Sequence, residues 1–147
     1  MSLPRDLQEK IAALLKEAST TRLQQAQQAV TSRYRAHHNP VFQSQEERLS
    51  YLATRLPATY AVATSVLTKI APYTASLTSH LDLGTGPGTV FFAVQALFPF
   101  IQQNTLLEKD PSLIELGKQL TPLESSPKWQ LQDLQHAASF EPADLVT

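Results

Sequence analysis

The residues best placed to do chemistry together lie where glycines and acids recur at short intervals. In "HLDLGTGPGTVFFAV", His80 to Val94, Asp82 precedes Gly84, Gly86 and Gly88, with Thr85 and Pro87 between them. A strand that runs into a glycine turn and then a helix aims backbone N–H groups at whatever lies over the turn. The helix dipole adds partial positive charge there. Glycine permits positive φ and puts no side chain in the way of a close approach. A nucleotide-like ligand suits such a turn. Two more acids extend the site. Glu108 ends the apolar run "NTLLE" twenty residues after Gly88, where a carboxylate can accept hydrogen bonds from both ribose hydroxyls. Asp133 follows in "QLQDL".

The spacing separates two candidate ligands. A dinucleotide fingerprint wants G-x-G-x-x-G/A, but counting from Gly84 the third glycine would fall on Thr89. The form present, D-x-G-x-G-x-G, resembles motif I of S-adenosylmethionine-dependent methyltransferases. That resemblance implies S-adenosylmethionine as cofactor. It places the Gly84 carbonyl and the Asp82 region toward the methionine ammonium, with Thr85, Gly86 and Gly88 forming the turn. It assigns Glu108 to the ribose, Asp133 to the adenine amino group and the backbone N–H of Leu134 to a ring nitrogen.

The elements that must position these residues divide the chain in two. Residues 1–79 read as helices. Leu7, Ile11, Leu14 and Leu15 share a face within 4–17, and Leu23, Ala26, Val30 and Tyr34 repeat until "HHNP". Tyr34 is expected in the core. "SQEE" at 44–47 has the capping-box pattern. Leu49, Leu52 and Leu56 line a helix expected to stop before Pro57, with a second carrying Tyr60, Ala63, Leu67 and Ile70 to Pro72. From residue 80 strands alternate with helices: "HLDL", "TVFFAVQALF", "NTLLEKD", "PSLIELGKQL", "KWQLQD" and the start of a strand in "ADLVT". That alternation predicts an α/β fold with a parallel sheet. Residues 80–147 are expected to form the first half of a Rossmann-like S-adenosylmethionine-binding domain, and the glycine turn sits where open α/β sheets bind ligands.

Charge is unevenly spread. Residues 1–79 carry nine Lys/Arg against five Asp/Glu, whereas 80–147 carry three against eight. Between Glu17 and Glu46 there is no acid, and Arg22, Arg33, Arg35, His37 and His38 fall in that interval. Arginine suits phosphate through its bidentate fork, so Arg22, Arg33 and Arg35 are candidate RNA contacts; a solvated helix face explains them equally well. The two histidines have no companion ligands at metal spacing, and no metal site is expected. With no cysteine there are no disulfides or thiolate ligands in these residues. The N-terminus lacks the apolar block of a secretory signal, and "TVFFAVQALFPF" is too short to span a bilayer. The expected compartment is the cytoplasm.

A closer resemblance rests on "SRYR" at 32–35, "ERLSYLATRLPATYAVATSVL" and "LDLGTGPGT". Together these are similar to a methyltransferase-like family associated with the small ribosomal subunit in bacteria and mitochondria. The resemblance implies the small subunit or its RNA as partner. It leaves three functions open: a ribosomal RNA methyltransferase, an assembly factor that keeps the fold without transferring a methyl, or a small-molecule methyltransferase with a helical cap. Arg55 and Tyr60 are candidates for a lid over the cofactor. A complete superfamily sheet has seven strands, so these residues are expected to be the N-terminal part of a longer protein. The acceptor-binding residues are then expected beyond Thr147, and this portion alone should be inactive.

Overall fold

The computed structural model describes residues 2–16, 18–36, 42–136 and 139–147; His37 and His38 lie outside them. Three helices come first: α1 (Arg5–Leu15), α2 (Thr20–Arg35) and α3 (Gln45–Ile70). A 3-10 turn at Ala71–Tyr73 leads into β1 (Ser79–Leu83), α4 (Thr89–Leu97), β2 (Gln103–Glu108), α5 (Pro111–Leu120), β3 (Lys128–Leu131) and β4 (Leu145–Val146). The four strands are parallel, in the order β3-β2-β1-β4. The two crossovers through α4 and α5 step the same way. Right-handed connections therefore put both helices on one face of the sheet. The order reverses at β1, and the glycine turn leaves the sheet at that reversal.

The core lies between that face and the N-terminal helices. α4 is apolar almost all round: Phe91, Phe92, Ala93 and Val94 are buried, as a helix covered on both sides requires. α3 covers it with Leu49, Leu52, Leu56, Tyr60, Thr64 and Leu67. Leu7 and Ile11 of α1 join the same cluster as Leu113, Leu116 and Leu120 of α5. Lys10 donates to the carbonyls of Leu120 and Thr121 at 3.4 and 3.1 Å, satisfying acceptors at the C-terminal end of α5.

The expected break at Pro57 does not occur. α3 runs through it, although an internal proline costs about 3 kcal/mol. The buried positions keep a three- and four-residue spacing on both sides of Pro57, and fully burying each large side chain contributes roughly 1.5–3 kcal/mol. Breaking the helix would rotate half of that stripe off α4. Ala53, whose carbonyl loses its helical partner, is exposed, so water can replace the missing donor. Two other expectations are corrected by burial. Tyr60 is 1% exposed and belongs to the core, not to a lid. Tyr34 is 51% exposed, because α2 buries none of its residues fully.

α2 is held to α3 by charge. The Ser44 hydroxyl caps α3 by accepting from Glu47 N–H at 3.2 Å. The Glu47 carboxylate accepts from Gln43 N–H at 2.6 Å and from the Arg33 guanidinium at 2.5 Å. Burial alone would raise the Glu47 pKa, but the Arg33 and Gln43 hydrogen bonds and the charges of Arg33 and Arg48 outweigh it and lower it from 4.5. Arg33, a candidate phosphate contact, is thereby turned onto α3.

Two predictions follow from this packing. The trough between Gly88 and Gly117 holds the Trp129 indole. A Cβ on Gly117 would fall inside the contact radius of Trp129 Cη2 and 2.9 Å from the Pro87 carbonyl oxygen. Gly117→Ala should therefore lose about 1–3 kcal/mol to overpacking, overriding the gain of about 1 kcal/mol in helix propensity; a higher melting temperature would refute this. Glu47 has a depressed folded pKa, so its contribution is fully present above its unfolded value and is lost as pH falls through the folded one. Amide exchange in α2 should speed up as pH drops below about 4.5, after correction for intrinsic rates. Glu47→Gln should remove that dependence.

Candidate functional site

The glycine turn is built on φ values of 71°, 58° and 91° at Gly84, Gly86 and Gly88, a region that L side chains rarely occupy. Its donors do not point outward as expected. Gly84 N–H and Thr85 N–H both donate to the Leu107 carbonyl, at 3.0 and 2.9 Å, and Gly88 N–H donates to the Thr85 carbonyl at 3.0 Å. Gly86 N–H donates to Glu108 Oε2 at 2.9 Å, and Pro87 has none. Every donor from Gly84 to Gly88 is thus spent on protein. A pyrophosphate, which needs such groups free, would find none of them here.

Glu108 sits at the end of β2 with 8% exposure. Besides Gly86 N–H it accepts Lys109 N–H at 2.9 Å and Asp110 N–H at 3.0 Å, both on Oε1. Oε2 accepts one of these bonds and keeps lone-pair capacity for a hydroxyl.

Asp82, on β1, faces inward and is 3% exposed. Thr85 Oγ1 donates to its Oδ2 at 2.6 Å, and Thr147 Oγ1 lies 3.1 Å from Oδ1. The Phe91 N–H, in the first turn of α4, also faces this carboxylate. Burial raises the Asp82 pKa and lowers that of His80. The hydrogen bonds of both groups oppose these directions without cancelling them. Asn104 donates its Nδ2 proton to the Ile101 carbonyl, which leaves Oδ1 to accept from His80 Nδ1 at 3.2 Å. That assigns the proton to Nδ1 and makes Nε2 the acceptor for Thr147 Oγ1 at 2.8 Å. Asp82 thus braces the turn from beneath.

Asp133 lies two residues beyond the end of β3, in the loop and not on the strand as expected. Gln135 N–H donates to Oδ1 at 3.0 Å, and His136 Nδ1 lies 3.2 Å from Oδ2. The Gln135 N–H is the main reason that the Asp133 pKa is lowered. Leu134 reaches over the turn: its Cδ1 is 3.9 Å from where a Cβ on Gly84 would stand. The loop after β3 and the glycine turn therefore meet, with Glu108 joined to Gly86 between them. Arg22 and Arg35 are exposed on α2.

The fold places these elements among known ones. Residues 45–147 match the family model of the mitochondrial small ribosomal subunit protein Rsm22, more than two thirds of the chain. The chain belongs to the Rsm22 family. No curated protein matches it significantly. Among solved structures, the plantazolicin methyltransferase BpumL in complex with SAH is similar at a TM-score of 0.55 and 17% identity. The match covers 95% of this chain and 49% of that one. BpumL with SAH and a pentazolic desmethylPZN analog gives a TM-score of 0.48 at 16% identity, over 95% and 48% of the two chains. The first likeness shows that this Rsm22-family chain has a methyltransferase-like α/β fold, and it spans about half of that methyltransferase's length.

Several residues beside the glycine turn carry little signal in the sequence. Tyr51 of α3 puts its hydroxyl 3.9 Å from where a Cβ on Gly86 would stand. Beside it Thr89 Oγ1, at the start of α4, is buried without a well-formed hydrogen bond. Arg48 donates to the Phe42 carbonyl at 3.2 Å and lies 3.5 Å from Asp110 Oδ2, while Asp110 Oδ1 caps α5 through Ser112 N–H at 2.8 Å. The one available signal was the four-residue interval of Tyr51, Arg55 and Thr59 beside the buried stripe.

Thr85→Val should test the brace. It keeps the shape and removes the donor to a buried carboxyl, which costs about 1–3 kcal/mol. Denaturant unfolding should show that loss for Thr85→Val and little for Thr85→Ser.

Proposed function

We propose that this protein binds S-adenosylmethionine in the turn between β1 and α4 and methylates RNA of the small ribosomal subunit. The observation that carries the reading is the junction of Glu108 with Gly86 N–H at 2.9 Å. It puts a carboxylate oxygen with spare lone-pair capacity beside a glycine-rich turn whose N–H groups are all spent on protein. A zwitterionic, phosphate-free nucleoside fits that chemistry.

When bound, S-adenosylmethionine supplies a methyl group on a positively charged sulfonium, which becomes a neutral thioether as the acceptor atom takes the methyl and gives up its proton. This chain's part is to bind and orient. Glu108 accepts the ribose hydroxyls. Asp133 accepts from the adenine amino group, the Leu134 N–H donates to a ring nitrogen, and the Leu134 side chain covers the turn. Asp82 and Thr85 hold Gly84 to Gly88 in shape. Rigid placement of donor against acceptor is an orientation effect that contributes several kcal/mol in such reactions.

The RNA half of the proposal rests on the family's small-subunit name and on Arg22 and Arg35, whose exposure on α2 leaves them open to phosphates. Arg33 is the weaker candidate because it serves Glu47. Among the described residues no helix is long and apolar enough to cross a membrane. The cytoplasm is the proposed compartment for a bacterial ribosome, and the matrix for a mitochondrial one.

Calorimetry on the full-length protein tests the cofactor. Glu108→Ala removes a charge-assisted contact of about 1.5–3 kcal/mol and should weaken S-adenosylmethionine binding about tenfold or more; unchanged affinity would refute the assignment. Transfer of labelled methyl to isolated small-subunit RNA tests the reaction.

A further inference from the structure

α2 and α3 part beside the glycine turn and leave a cavity of about 260 Å³. Its walls differ from the core in kind. Tyr34 and Gln27 contribute from α2, and Tyr51, Thr54, Arg55 and Thr59 from α3. Aromatic rings, a guanidinium, hydroxyls and an amide line one small space. The cavity also adjoins the proposed ribose site. Tyr51 is a wall of it, and the Tyr51 hydroxyl reaches toward Gly86, whose N–H is bound to Glu108.

Charge and exposure narrow the occupant. Glu47 lines the cavity too but is matched by Arg33. Arg55 has no ion pair or hydrogen bond among the described residues, so the space carries one uncompensated positive charge. Tyr34 leaves half of its surface to solvent at the end of α2, where packing gives no reason for a large ring. Sites for drug-sized molecules run to about 300–1,000 Å³; this one is smaller, with room for one base and its phosphate.

Resting on the reading of the protein as an RNA methyltransferase, we infer that this cavity receives a single unstacked nucleotide of the acceptor RNA. The base lies against Tyr34 and Tyr51 and the phosphate meets Arg55. Enzymes that modify bases draw them out of the stack into a fitted pocket, and stacking on aromatic side chains is how proteins commonly hold such bases. The Gln27 amide offers a donor and an acceptor to the base edge, and the Thr54 hydroxyl, whose proton goes to the Ser50 carbonyl, offers an acceptor. The pocket would set which base is presented, whereas Arg22 and Arg35 would set only how tightly the strand is held.

The test uses the full-length protein saturated with S-adenosylhomocysteine and titrated with the four nucleoside 5′-monophosphates, followed by NMR. At least one should bind. Tyr34→Ala should weaken it tenfold or more, and Arg55→Gln should abolish the preference for the monophosphate over the nucleoside. The affinity for S-adenosylhomocysteine should be unchanged in both variants. Both side chains are exposed, and an unchanged melting temperature checks that the fold survives. Absence of binding, or binding indifferent to both substitutions, would overturn the inference. A fall in S-adenosylhomocysteine affinity instead would overturn it by assigning the cavity to the donor's amino-acid tail. Nucleotide binding without methyl transfer to small-subunit RNA would sink the methyltransferase reading while leaving the cavity's occupant standing.

Discussion

Much of the structure depends on where one carboxylate spends its lone pairs. Glu108 takes N–H groups from Gly86, Lys109 and Asp110, so the end of β2, the glycine turn and the approach to α5 are one rigid body. Asp110 continues the chain of constraint by capping α5 and meeting Arg48 of α3. Four elements thus converge on three consecutive residues. The carboxylate proposed to hold the ribose also fixes the turn beside which the ribose would lie. A turn fixed in this way before any ligand arrives reduces the entropy lost on binding.

Beneath the turn a second buried carboxyl acts in the opposite way. Glu108 keeps lone-pair capacity on one oxygen, but Asp82 is enclosed by Thr85, Thr147 and His80. Burial raises its pKa, and the hydrogen bonds from the Thr85 and Thr147 hydroxyls offset only part of that rise. Two acids on adjacent strands are therefore held differently, one by backbone N–H groups and the other chiefly by side-chain hydroxyls.

The N-terminal helices complete the site as well as covering the core. α3 buries a stripe against α4 and presents Tyr51, Arg55 and Thr59 one residue further round. The same helix therefore supplies hydrophobic stabilisation on one side and polar groups next to the glycine turn on the other. Helical periodicity makes that possible, since neighbours in sequence lie about 100° apart around the axis.

The order of strands and helices, the glycine turn at the first strand end and the acid at the second are all legible in the residues alone. Each depends on local chemistry: periodicity, turn propensity and the spacing of an α/β unit. The continuity of α3 through Pro57 was not legible, because a proline's local cost is visible in sequence whereas the burial that outweighs it belongs to α4. The same holds for Tyr34, Tyr60 and Arg33, whose surroundings come from other helices. Even the direction of the turn's N–H groups was a tertiary matter. The acceptors for Gly84, Thr85 and Gly86, Leu107 and Glu108, stand on the neighbouring strand, and only the register of β1 against β2 brings them within reach. Sequence determined which groups exist and at what intervals. Tertiary structure decided which of them are left free for a ligand, since hydrogen bonds and burial are settled by partners distant along the chain.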